Sequence, residues 1–116
     1  MHNTIQITSD ILLKLGIAPR TKGYHYICKA VDIYLERPTV TLNFSKNLYP
    51  EVADYFDVAS SSVERAIRNA IHTGYVHGDI EFAYSIFQNT LHSKADIPTN
   101  TLFISAVSEW IKNHTT

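Results

Sequence analysis

The chain has 116 residues, 45% of them apolar, with one cysteine and a formal net charge of −1. That is too apolar for disorder and the right length for one domain, residues 1–116. The lone Cys28 excludes an intrachain disulfide and any zinc site built on two or more cysteines.

Taken in chain order, the apolar residues recur at helical spacing. Ile7, Ile11, Leu12 and Leu15 share one face of a first helix, which Asn3 or Thr4 is expected to cap and Gly16 to end. After Pro19, the stripe Tyr24, Ile27, Cys28, Val31 and Leu35 predicts a second helix, ended by Pro38. Residues 39–48 read as a loop and a short helix. Pro50 suits the first turn of the next helix, whose buried side is Val52, Ala53 and Phe56. Asp57-Val58-Ala59 is a tight connection to a longer helix of about residues 60–75. Gly78-Asp79 is a break and a cap, followed by the stripe Ile80, Ala83, Tyr84 and Phe87. Asn89 to Pro98 reads as a polar loop. Thr99 caps a last helix with Phe103, Ala106, Val107 and Trp110 facing inward. The expected fold class is therefore all-α, a compact domain of about six helices.

Two helices joined by about three residues outline a helix-turn-helix over about residues 49–75. On the second helix, Val63, Ile67, Ala70, Ile71 and Gly74 fall on one side at ~100° per residue. Ser61, Ser62, Arg65, Arg68, Asn69 and His72 fall on the other, with no acid among them. Arginine can fork onto guanine O6 and N7, asparagine can pair adenine N6 and N7, and serine can hold a phosphate. Two arginines on a solvated face are by themselves unremarkable. Glu64 lies at the flank of this face, and Ser61-Ser62-Val63-Glu64 fits a capping box, in which Glu64 folds back onto the helix start.

The charge distribution limits this reading. Residues 1–46 carry a net +3 and residues 47–116 a net −4, without the strong basic footprint usual in nucleic-acid binders. An enzyme is not expected. The six histidines are scattered, and no metal pair, glycine-rich phosphate loop or nucleophile signature occurs. Cys28, on an apolar stripe, reads as a buried thiol. No cofactor and no metal are implied. No apolar run reaches the ~18 residues of a membrane span. Met1-His2-Asn3-Thr4 lacks the regions of a signal peptide, so a cytoplasmic protein without a membrane partner is expected.

Leu48-Tyr49-Pro50, Phe56, Ser61, Val63-Glu64-Arg65-Ala66-Ile67-Arg68 and Ala70-Ile71 resemble the C-terminal effector domains of sporulation stage 0 protein A. Ile17-Ala18-Pro19 with Lys22-Gly23-Tyr24 and Tyr26, and Pro98-Thr99-Asn100 with Phe103-Ile104, resemble further signatures of that family, in the same order and at compatible spacing. The resemblance implies a bacterial transcription regulator of sporulation whose helix-turn-helix binds double-stranded promoter DNA. It implies that Glu64, Arg65 and Arg68 are contacts, with Ser61 near a phosphate. It also implies that the helix after Tyr75 and Asp79 corresponds to a surface that touches the RNA polymerase sigma factor. Ser62, Asn69, Asp54 and Tyr55 depart from the family, which carries arginine, histidine and two lysines there. The expectation is either a shifted site with weaker binding, or a domain that has drifted from DNA. The family's receiver domain would lie before Met1, so this is either an excised piece or a stand-alone effector domain; the native-looking Met1 favours the second as the expectation, monomeric or weakly dimeric. The alternative function is a helical protein-interaction module on the same fold, using the acidic second half or Tyr49, Tyr55, Tyr75 and Tyr84.

Overall fold

The computed structural model describes residues 2–87 and 97–114, and among them every regular element is a helix, with no strand. The helices are α1 (His2–Lys14), α2 (Lys22–Glu36), α3 (Phe44–Asn47), α4 (Tyr49–Phe56), α5 (Ser60–His77), α6 (Ile80–Phe87) and α7 (Asn100–Asn113). A 3₁₀ segment, Pro38–Leu42, precedes α3, which is a single turn. The six longer helices match the all-α expectation. The expected loop from Asn89 lies outside the described residues up to residue 96.

Helix α2 is the axis of the fold and packs against α1, α4, α5 and α7. Its inner residues Ile27, Ala30 and Val31 are wholly removed from solvent, each apolar side chain of Val or Ile size contributing about 1.5–3 kcal/mol. Thr21 caps it by accepting from the Tyr24 N–H. The turn before it is pinned, since Thr21 donates through both its N–H and Oγ1 to the Ala18 carbonyl, at 3.1 and 2.8 Å. His25, an exposed residue, bonds the Pro19 carbonyl through a ring nitrogen at 2.7 Å. At the far end, Tyr34 donates to Glu109 of α7 at 2.6 Å.

Two junctions require glycine. Gly16 ends α1 with φ +83°, a left-handed conformation open to a residue without Cβ. There the end of α1 meets the end of α5, and the Asp79 N–H bonds the Lys14 carbonyl at 2.9 Å. Gly23 is the second. A Cβ on it would lie 2.4 Å from the Ala66 carbonyl oxygen and 2.6 Å from the Ala70 Cβ. Helices α2 and α5 therefore touch backbone to backbone, and this fixes where the second helix of the pair sits.

The structure corrects three local expectations. Asn3 and Thr4 lie inside α1, which starts at His2, and not ahead of it as caps. The inner face of α7 is Phe103, Ile104, Val107, Ser108 and Ile111. Ala106 and Trp110 are only partly buried, because Trp110 lies at the edge of the core, edge-on to Phe82 and stacked on His114. On α4, Val52 and Ala53 are buried as expected, while Phe56 is half-buried.

Candidate nucleic-acid interface

Helices α4 and α5 are joined by Asp57, Val58 and Ala59. Asp57 adopts φ 57°, ψ 53°, and its N–H reaches back to the Ala53 and Asp54 carbonyls. Val58 N–H follows, bonding Ala53 at 3.0 Å. A left-handed residue with these back-bonds is the usual way to stop a helix sharply, and aspartate tolerates that conformation better than most residues. The chain thus reverses in three residues and enters α5.

Helix α5 places its apolar side chains as the periodicity requires. Val63, Ile67, Ala70, Ile71 and Gly74 are buried. Ser61, Ser62, Glu64, Arg65, Arg68, Asn69 and His72 are exposed. The side of α5 turned away from the core is therefore polar along its length, and Arg65 has no ion-pair partner among the described residues. Arg68 Nη1 lies 3.8 Å from the Glu64 carboxylate, one turn away, with both side chains about half exposed. A pair at that distance in water is worth a few tenths of a kcal/mol, so it orients Arg68 without immobilising it.

The capping-box expectation for Glu64 is overturned. Helix α5 begins at Ser60 with Ala59 as its N-cap, and no side chain caps it. Glu64 is then the fifth helical residue, beyond reach of the first N–H groups, and it pairs forward with Arg68 instead.

One contact was illegible in the sequence. Asn100, the first residue of α7, donates from Nδ2 to the Glu64 carbonyl at 3.0 Å and to the Tyr49 hydroxyl at 3.3 Å. It ties together the start of α4, the second turn of α5 and the start of α7. Asn100 stood out in the sequence only through the family resemblance of Pro98-Thr99-Asn100, and nothing local showed that it reaches a residue 36 positions away. Burial pushes the Tyr49 hydroxyl's pKa up, partly offset by the Asn100 bond. Tyr49 is buried, which removes it from the tyrosines available to a protein partner. Tyr55, on the outer side of α4, is 65% exposed.

Asp54 is also exposed on α4. Lys29 sits over the Tyr55 ring at 4.1 Å and lies 3.8 Å from Asp32. Cys28, expected to be buried, is half-buried, and desolvation raises its thiol pKa to about 11. A thiol so protonated is a poor nucleophile at neutral pH. Among the described residues, no helix is long and apolar enough to cross a membrane.

A family model described as the sporulation initiation factor Spo0A C terminal matches residues 8–111. The chain belongs to this family of helical DNA-binding effector domains, which act in transcription regulation during sporulation.

Proposed function

We propose that, within this family, the chain is a sequence-specific DNA-binding transcription regulator whose helix α5 enters the major groove. The observation that carries the reading is the exposed face of α5, where Ser61, Ser62, Arg65, Arg68, Asn69 and His72 stand together behind a three-residue turn. Arg65 and Arg68 are the proposed base-reading residues, each able to fork onto a guanine edge. Asn69 and His72 extend the readout along the groove. Ser61 and Ser62, in the first turn, face a phosphate, where helix N–H groups and the helix dipole favour an anion. Glu64 is the least committed of the set, since it can accept from cytosine N4 or remain paired with Arg68.

Asp54 on α4 adds repulsion toward the DNA backbone and Ser62 offers one hydrogen-bonding group where an arginine offers a fork. Modest affinity follows, with one lost bidentate contact worth about 1–3 kcal/mol of discrimination. The surface around α6 is the proposed contact for the RNA polymerase sigma factor, and the chain is proposed to be monomeric or weakly dimeric away from DNA.

The test is selection from random duplex DNA at low salt, with the Arg65→Ala protein as control. A short motif enriched by the wild type and lost by the variant, with far-UV circular dichroism unchanged, is the expected result. No enrichment by a folded wild type refutes the reading and favours the alternative, an interaction module on the same fold.

A further inference from the structure

The basic residues of this chain are unevenly engaged. Arg37 is paired with Glu51, Lys29 with Asp32, Arg68 with Glu64 and Lys112 with Glu109. Lys14 lies over the Phe82 ring. Arg20 and Lys22 are exposed and have no ion-pair partner among the described residues. They sit on the turn into α2 and on its first residue, immediately before the Gly23 contact with α5.

Between that turn and α5 runs an open groove of about 370 Å³. Arg20, Lys22 and His77 line it together with Asn69 and Thr73 of α5, and no aspartate or glutamate does. Asn69 and Thr73 also line the surface depression that holds Arg68 and His72. The groove is thus continuous with the outer face of α5. The turn that carries Arg20 is held by the hydrogen bonds from Thr21 and His25, and Gly23 presses the start of α2 onto α5. The backbone that carries both cations is therefore set at a fixed offset from α5. The Tyr24 N–H is taken by the Thr21 cap, while the N–H groups of α2 ahead of it have no intrahelical acceptor, and the helix dipole adds partial positive charge at the same place.

We infer that this groove seats the sugar-phosphate backbone of one DNA strand beside the major groove, with Arg20 and Lys22 as its phosphate-binding residues. The inference rests on the reading of α5 proposed above and extends it to a second surface outside the helix-turn-helix. It also accounts for how an acid on α4 is tolerated. The cations that neutralise the backbone stand on the turn into α2, on the opposite flank of the recognition face from the Ile97–Thr101 edge.

Phosphate contacts position a protein without reading sequence. Arg20→Ala and Lys22→Ala should each weaken binding to the selected duplex and to an unrelated duplex by the same factor. Each should lower the slope of log affinity against log salt by about 1. The motif recovered by selection should not change, and Lys112→Ala, at the far end of α7, should leave the slope as it is. The charge reversal Lys22→Glu should cost more than the truncation. Unchanged affinity and slope in both alanine variants, alongside loss of specific binding in Arg65→Ala, overturns this inference and leaves the function of α5 standing. A changed motif in Arg20→Ala or Lys22→Ala overturns it as well, by making these residues readers of sequence. A wild type that binds no duplex refutes the proposed function and this inference with it.

Discussion

Replacing Gly23 with alanine tests how α2 positions α5. The new Cβ would stand 2.4 Å from the Ala66 carbonyl oxygen and 2.6 Å from the Ala70 Cβ. Ordinary contact for such an atom begins near 3.4 Å, so the two helices must part by about 1 Å. A gap of that size forfeits a quarter to a half of the dispersion attraction of each flanking contact. Overpacking of this kind typically costs about 1–3 kcal/mol. The better helix propensity of alanine offsets up to about 1 kcal/mol. A net loss of about 1–2 kcal/mol is expected, a fall in Tm of about 4–8 °C for a chain of this length. Urea unfolding followed by far-UV circular dichroism measures it, with the slope against urea unchanged. Adding Ala70→Gly removes the Cβ–Cβ clash but leaves the tighter one with the carbonyl. The double variant should therefore recover less than half of the loss, as judged by the coupling in a double-mutant cycle. A midpoint that stays or rises in Gly23→Ala refutes the close approach. Full recovery in the double variant shows that the carbonyl contact is not the limiting one.

Three further outcomes follow from particular contacts. Asn100→Ala should cost about 0.5–1.5 kcal/mol by removing its bonds to Glu64 and Tyr49. It should also raise the Tyr49 pKa further, because an N–H donor that favours the phenolate is gone; ultraviolet titration of the tyrosines reads this. Burial, reinforced by the Glu109 carboxylate, raises the Tyr34 pKa to about 12. Its neutral form is thus favoured in the folded chain. The stability this gives is complete below the ordinary tyrosine pKa of about 10 and is lost as pH rises through about 12. Tyr34→Phe should make the alkaline fall in urea midpoint shallower, and an unchanged fall contradicts the assignment. With a thiol pKa of about 11, Cys28 should react with a disulfide reagent near neutral pH far more slowly than the same chain in urea. Equal rates would show that the thiol is not desolvated.

The parts of this fold that were legible in the sequence are those set by local periodicity. The buried face of α5 is the one that helical spacing gives, since Val63, Ile67 and Ile71 can share a core only on one side. The exposed set followed by exclusion. The start of α5 was not legible for a physical reason. Ser60, Ser61 and Ser62 are equally good caps, so the local signal is degenerate. Packing of Val63 against the core then leaves Ala59, a poor cap, at the boundary. The face of α7 was misjudged because that helix packs against α1, α2, α5 and α6, which widens its buried stripe to include Ile104 and Ser108. The Asn100 bonds and the Arg20–Lys22 groove are invisible locally, because each joins α5 to residues more than 30 positions away.

Nuclear magnetic resonance of the ¹⁵N-labelled chain, titrated with the selected duplex, tests most directly where DNA binds. The backbone amides of Ser61, Ser62, Arg65, Arg68, Asn69 and His72 should shift or broaden at the lowest additions of DNA. Those of Arg20, Lys22 and Gly23 should do the same, while the amides of α6 and the end of α7 stay in place. Perturbation confined to α6, or none at saturating DNA, refutes the placement of DNA on α5.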